Sequence, residues 1–263
     1  MTLWESVLLG FVQGATEFLP VSSSGHLVIV QALLGIELQG VLFEVAVHVA
    51  TLLSVLLVYR TRVSGLIRGA LAGEREPLRY LGLLAVATLP AGVVGVFWKD
   101  AIERLFESPF VPGVALLVTG VILWSAKFAS ARAVESQPGW AAALVIGIAQ
   151  ALALLPGISR SGTTVVVALW LGLEAREAAA FSFLMAIPAI AGAAVLQAPD
   201  LGSAAGGATG GVLLAGGIMA AVTGVLAIRT FVAMLSRRAF HWFAPYCWLV
   251  GAGFLLYLYL GSR

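Results

Sequence analysis

Apolar stretches about as long as a bilayer is thick recur along this chain, separated by short charged or Pro/Gly-rich links, and that pattern leaves few folds open other than a bundle of membrane-spanning helices. A hydrocarbon core of roughly 30 Å takes about 20 apolar helical residues to cross. Six stretches read as full spans: 41–60, 79–98, 109–127, 178–197, 210–233 and 243–261. Composition agrees, because with 60% hydrophobic and 11% charged residues, and a mean hydropathy of +1.02, there is too little polar surface to cover a soluble globule. The chain, 1–263, reads as a single all-α integral membrane domain solvated by the lipid bilayer.

Two further apolar stretches, 1–36 and 139–173, are interrupted in the middle, the first by Pro20-Val21-Ser22-Ser23-Ser24-Gly25 and the second by Pro156-Gly157-Ile158-Ser159-Arg160-Ser161-Gly162. The arm after each break has only about ten residues before a glycine, roughly 15 Å of helix, too short to cross. Each stretch is therefore expected to enter the membrane and turn back as a re-entrant helical hairpin. Broken backbone at that depth is tolerated only where protein or a water-filled cavity satisfies its polar groups, so the two hairpins imply an internal polar cavity.

The interrupted stretches also resemble each other. A constant offset of 137 pairs Gly10 with Gly147, Gln13 with Gln150, Ser22 with Ser159, Ser24 with Ser161, Gly25 with Gly162, Leu34 with Leu171, Gly35 with Gly172 and Glu37 with Glu174, while Pro20 and Pro156 slip by one. Three full spans lie between the copies, an odd number, so the second inserts from the opposite face. The expected architecture is six transmembrane helices plus two re-entrant hairpins in an inverted-topology repeat, repeat one about 1–127 and repeat two about 139–261.

Link charges set the orientation. Arg60, Arg62, Arg68, Arg75, Arg79, Lys127, Arg132, Arg176, Arg229, Arg237 and Arg238 gather on one side and only Lys99, Arg104 and Arg263 on the other, eleven against three with Arg160 left out as intramembrane. The richer side is cytoplasmic by the positive-inside rule, which puts both termini outside and the first hairpin entering from there. A net charge of +2 spread over single link arginines excludes a nucleic-acid partner. The lone Cys247 excludes an intrachain disulfide, and three distant histidines do not form a zinc spacing. Met1 to Gly10 carries Glu5 and no basic residue, so it is expected to be a mature start and not a cleaved signal. Trp4, Trp98, Trp124, Trp140 and Trp242 lie near expected span ends, where indoles anchor at the headgroup level.

Ionisable groups inside membrane segments are costly, which marks Glu17, His26 and Arg160. A single intramembrane carboxylate is often a structural partner, but a carboxylate, an imidazole and a guanidinium at the breaks of related hairpins point to a site. Ser/Gly turns that open helices aim free N–H groups and hydroxyls at one point, the usual geometry for a phosphate. Ser22, Ser24, Gly25, Ser159, Ser161, Gly162, Thr163 and Thr164 are candidates for that role, although such serines also serve as plain helix caps. Arg160 adds planar donors suited to phosphate oxygens. Gln13 and Glu17, four apart on one helical face, could give oxygen ligands to Mg²⁺ or Ca²⁺ bridged to phosphate. His26 opens the next arm and could exchange a proton while the carboxylate orients it. Glu44 and His48 share a face of span 41–60, and a place behind the site or at the membrane interface suits them equally.

The run from Gln13 through Thr16-Glu17-Phe18-Leu19-Pro20-Val21-Ser22-Ser23-Ser24-Gly25-His26 resembles the first motif of bacterial undecaprenyl-diphosphate phosphatases of the BacA type, and Pro156 to Gly162 resembles their second. In that family the first motif carries Glu or Gln and then Glu four residues on; here the pair is Gln13 and Glu17. The resemblance implies a multi-pass enzyme of the bacterial inner membrane, with a divalent cation and a site open to the periplasm. It would hydrolyse undecaprenyl diphosphate to the monophosphate, recycle the lipid carrier of peptidoglycan synthesis and confer bacitracin resistance. By position it implies Glu17 as the essential acid, Ser23 and His26 as nucleophile and base, and Arg160 as the phosphate clamp, with Gln13, Ser22, Ser159, Ser161 and Thr164 lining the pocket. Attack by Ser23 and attack by a water activated by His26 both stay open, as does assembly as a homodimer.

A polyprenyl-phosphate flippase or transporter is the main alternative, because inverted repeats with broken helices are common transporter architecture. The acid-phosphatase-like lipid phosphatases are excluded, since they need a histidine six residues after the arginine of Ser159-Arg160 and position 166 is Val.

Overall fold

A computed structural model describes residues 1–36, 42–129, 135–201, 210–236 and 239–261. Glu37, Arg132, Arg237, Arg238 and Arg263, used above for the repeat and the orientation, lie outside the described residues. The chain is helical: α1 Leu3–Phe18, α2 Ser23–Leu34, α3 Leu42–Val58, α4 Arg60–Leu71, α5 Arg75–Phe97, α6 Lys99–Glu107, α7 Phe110–Ser125, α8 Trp140–Leu152, α9 Arg160–Trp170, α10 Ala175–Leu201, α11 Gly210–Ser236 and α12 Phe243–Gly261. Extended pairing among the described residues is confined to a parallel bridge between Glu135 and Leu173.

Five helices are long and apolar enough to cross a membrane (α5, α7, α10, α11, α12), or six spans in all if α3 and α4, bent by 80° at Tyr59, are counted as one. The bend changes the reading of 60–79 as a link. α4 places Arg60, Arg62 and Arg68 among Val63, Leu66 and Ile67, so it is amphipathic, and a search for 20 continuous apolar residues passes over it. The same holds for α6, whose Lys99, Asp100, Glu103 and Arg104 alternate with Ile102, Leu105 and Phe106 and which buries no residue.

Both interrupted stretches fold as a helix, a break and a short helix, α1–α2 and α8–α9, and the two arms of each pair touch. The short arms hold 12 and 11 residues, as their sequence spacing requires. α1 lies against α11 and α8 against α5; α3 packs on α11 and α10 on α5; α7 pairs with α12 and α3 with α10.

Lipid tails are as apolar as leucine, so helices here associate by close packing rather than by the hydrophobic effect. The α1–α11 seam shows how. A Cβ at Gly10 would come within 2.2 Å of the Gly216 carbonyl oxygen, and one at Gly14 within 2.0 Å of Thr223 Oγ1, so the two backbones approach as only a small-xxx-small face permits. Gly147 does the same for α8 against the Ala87 carbonyl, at 2.5 Å. In the core an aromatic chain, Phe18–Phe183–Phe231–Phe240, packs edge to face with centroids 5.1–5.4 Å apart. Leu214, Leu226 and Leu249, by contrast, are exposed on the outside, as a lipid-facing surface requires.

Candidate active site

The two breaks, 137 residues apart in sequence, meet. Ser24 Oγ accepts from the Gly157 amide at 3.4 Å, and Ser161 Oγ donates to the Leu19 carbonyl at 3.1 Å. Gly25 lies where a Cβ would be 3.1 Å from Gly157 Cα, and a Cβ on Gly162 would be 3.1 Å from Pro20 Cβ, which explains why both turns end in glycine. Thr119 of α7 ties the second break down: its hydroxyl donates to the Gly157 carbonyl at 2.8 Å and accepts from the Ser159 amide at 3.1 Å.

Each short arm opens on a serine cap. Ser22 Oγ accepts from the Gly25 amide at 3.3 Å and Ser159 Oγ from the Gly162 amide at 3.1 Å. Ser22 holds φ 67° and ψ 102°, the one non-glycine residue with positive φ among the described residues, a strain of about 1–3 kcal/mol that the surrounding bonds must hold.

Glu17 is the hub. It is buried at the end of α1, and four side chains converge on it. Arg160 Nη2 donates to Oε1 at 2.6 Å; Ser23 Oγ donates to Oε2 at 2.5 Å; Gln13 Nε2 donates to Oε2 at 3.1 Å; His48 Nε2 lies 3.9 Å from Oε2. The carboxylate of the first hairpin is thus joined to the guanidinium of the second. Arg160 spends one nitrogen on Glu17, and its Nη1 donates more loosely to the Ser182 carbonyl at 3.4 Å. Thr164 is bound to its own helix through the Arg160 carbonyl at 2.7 Å and to the Ser182 hydroxyl at 2.6 Å.

His26 lies on the same arm as Ser23, yet both its ring nitrogens are engaged elsewhere. Nδ1 is 2.8 Å from the Ser22 carbonyl and Nε2 is 2.8 Å from the Tyr246 hydroxyl. Glu17 therefore orients Ser23, and the Ser22 carbonyl with Tyr246 orients His26. His48 is brought to the hub, held by Nδ1 against the Glu44 carbonyl at 2.7 Å, whereas the Glu44 carboxylate turns to Gln31 Nε2 at 3.5 Å. Thr163 is buried with its hydroxyl unpartnered. Thr119, Ser182 and Tyr246 escape a sequence reading, being isolated polar groups inside apolar spans; their one signal is a hydroxyl within an apolar run.

The donor set also bears on a cation. Gln13 Oε1 is buried without a partner, beside the Glu17 carboxylate and the Ser23 hydroxyl: hard oxygens of the kind Mg²⁺ or Ca²⁺ takes. One carboxylate already paired with arginine is a weak cage alone, so these residues fit a cation that a polyanionic substrate helps to hold.

Similarity to known proteins extends over nearly the whole chain. An undecaprenyl-diphosphatase of Desulfatibacillum aliphaticivorans is 40% identical across 96% of this chain and 97% of its own length. One of Elusimicrobium minutum is 43% identical across 94% of each, and one of Alcanivorax borkumensis 41% identical across 98% of this chain and all of its own. The family model described as bacitracin resistance protein BacA matches residues 6–253, which takes in both breaks and every residue around Glu17, and the chain belongs to that family.

Proposed function

We propose that the Glu17 hub is the reacting centre of a membrane hydrolase that converts undecaprenyl diphosphate to the monophosphate and inorganic phosphate. That activity recycles the lipid carrier of peptidoglycan synthesis and, by removing the diphosphate that bacitracin sequesters, confers resistance. One observation carries the reading beyond family membership: the acid, the serine and the arginine form a continuous hydrogen-bonded chain across two hairpins, Ser23 to Glu17 to Arg160.

In this reading Arg160 grips the terminal phosphoryl with the guanidinium nitrogens it does not spend on Glu17, helped by the hydroxyls and amides of the Ser22–Gly25 and Ser159–Thr164 turns. Ser23 Oγ attacks the terminal phosphorus as its proton passes to Glu17 Oε2, and the bond to the bridging oxygen breaks, releasing the lipid monophosphate. Water then attacks the phosphoserine, returning a proton to Ser23 and freeing phosphate. His26 serves the proton steps on the same arm. Attack by water activated through His26 is the second route; the 2.5 Å Ser23–Glu17 bond favours the serine. A divalent cation, Mg²⁺ or Ca²⁺, held by Gln13 and Glu17 would offset charge on the diphosphate.

Two re-entrant hairpins and six spans in an inverted repeat of 1–127 and 139–261 fit the packing, since exchanging the repeats maps α1 on α11 to α8 on α5 and α3 on α11 to α10 on α5, and leaves the α7–α12 and α3–α10 pairs unchanged. With the arginine-rich links inside, the enzyme sits in the bacterial inner membrane with both termini and the site's mouth on the periplasmic side. A flippase would need a similar pocket but not a serine held against a carboxylate.

Phosphate release from undecaprenyl diphosphate by the detergent-purified protein tests the reading, because detergent removes sidedness. Wild type should release phosphate, and Glu17→Ala, His26→Ala and Arg160→Ala should not; wild-type rates in all three variants would sink the site. A trapped phosphoserine, absent in Ser23→Ala, separates the two routes. For orientation, Thr2→Cys should react with an impermeant maleimide in intact cells.

A further inference from the structure

We infer that Tyr246 is the positioning residue of His26, holding the imidazole in one tautomer and orientation for the diphosphate hydrolysis; the role rests on the hydrolase reading above. His26 Nδ1 lies 2.8 Å from the Ser22 carbonyl oxygen, which can only accept, so Nδ1 carries the proton. In the neutral ring Nε2 then holds the lone pair, and the group facing it, at 2.8 Å, is the Tyr246 hydroxyl. A phenol both donates and accepts, so it donates to Nε2 when the ring is neutral and accepts from Nε2–H when the ring is protonated. His26 keeps its partner through a proton cycle, which neither a lysine nor a carbonyl at that position would allow.

The contact is anchored. The two rings are parallel within 4°. The next residue, Cys247, directs its thiol at the Pro20 carbonyl, 3.8 Å away, so α12 meets the first break through two consecutive side chains. α12 is itself clamped to α7, where Trp248 Nε1 donates to the Leu117 carbonyl at 3.1 Å. On the first hairpin and the elements packed against it, α1 brings Glu17, α3 brings His48 and Glu44, α9 brings Arg160, α11 brings an exposed Arg229, α12 brings Tyr246 and Cys247, and α7 brings no titratable side chain. Of these, Tyr246 is the one bonded to the imidazole. It is 43% exposed while His26 is buried.

The test uses full-length protein in nanodiscs and Tyr246→Phe, which removes the hydroxyl and keeps the ring. In protein labelled with ¹⁵N-histidine, the His26 signals, identified by their loss in His26→Gln, should show a protonated Nδ1. Tyr246→Phe should then move the Nε2 resonance and leave those of His48 and His241 in place. With undecaprenyl diphosphate the same variant should lower kcat between about twofold and tenfold, the worth of one such hydrogen bond, with KM within about twofold, and should displace the limb of the pH–kcat profile that belongs to His26. Unchanged His26 resonances, an unchanged kcat in an active background, or a loss confined to KM would each overturn the assignment. No phosphate release by wild type would instead sink the hydrolase reading.

Discussion

Removing one member of the Glu17–Arg160 pair should destabilise the protein far more than removing both. The side chains are 7% and 16% exposed, and Nη2 stands 2.6 Å from Oε1 across the junction of the two hairpins. Taking away one partner of a buried pair leaves an uncompensated charge, at a cost of about 3–5 kcal/mol, whereas replacing both by neutral groups of similar shape is close to neutral or stabilising. Arg160→Met keeps the stem and strands the carboxylate; Glu17→Gln keeps the shape and strands the guanidinium. In the double variant neither charge remains, and the new amide at position 17 finds the Ser23 hydroxyl and, after a flip of Gln13, its unpartnered Oε1. Each single variant should therefore lose about 3 kcal/mol or more, and the double variant should return to within about 1 kcal/mol of wild type, not to the sum of roughly 6. Unfolding by SDS titration in mixed micelles reads these differences. All three variants should lose phosphate release by about 10³-fold or more, since Arg160→Met removes the charge that meets the phosphoryl and Glu17→Gln the carboxylate that takes the Ser23 proton. A double variant as unstable as the sum, or singles as stable as wild type, would refute the pairing.

Three further outcomes follow from the geometry. Gly14→Ala places a methyl 2.2 Å from the Ala220 carbonyl as well as 2.0 Å from Thr223 Oγ1, so it should cost about 2 kcal/mol or more of stability, and adding Thr223→Ala should not restore it; recovery in that double variant would show the seam to be soft. Ser22→Ala keeps the φ of 67° and loses the cap on Gly25, which should destabilise by about 1 kcal/mol, whereas Ser22→Gly relieves the backbone and should be neutral or mildly stabilising; the reverse order in thermal unfolding would deny the strain. EDTA should abolish phosphate release, and Gln13→Glu, which sets a second carboxylate beside Glu17, should lower the Mg²⁺ concentration giving half-maximal activity; equal cation titrations would remove position 13 from the cation site.

Much of the site was legible because the physics that makes it work also makes it visible. Pro20 and Gly157 interrupt apolar runs, and Glu17 and Arg160 stand where lipid would reject them unless paired, so breaks and charges both mark the place. What the sequence could not give is who meets whom. His26 looks like a partner for Glu17, nine residues before it on the hairpin, but the carbonyl of Ser22, one turn back on its own arm, captures Nδ1 and turns the ring toward α12. Tyr246, 220 residues away, is indistinguishable in sequence from the other aromatics of its span. Thr119 and Ser182 are hidden likewise, as single hydroxyls too weak to disturb a hydropathy pattern. α4 and α6 vanish for the opposite reason: their charges are regular, but an average over 20 residues cancels them.

The two breaks also solve each other's problem. A helix interrupted inside a membrane exposes amides and carbonyls that lipid cannot satisfy, and each unsatisfied group costs several kcal/mol. Here the Gly157 amide goes to Ser24, the Leu19 carbonyl to Ser161, and the Gly157 carbonyl and Ser159 amide to Thr119. Neither break could stand without the other or without α7. The same bonds fix Glu17 and Arg160, borne on opposite sides of the junction, at 2.6 Å. Stability and chemistry therefore draw on one set of contacts, and a change that separates the hairpins should remove both together. Substitutions that spare the junction and alter only Ser23 should instead, on the serine route, leave a folded, inactive protein: the carboxylate and guanidinium stay paired, and the oxygen proposed to attack is lost.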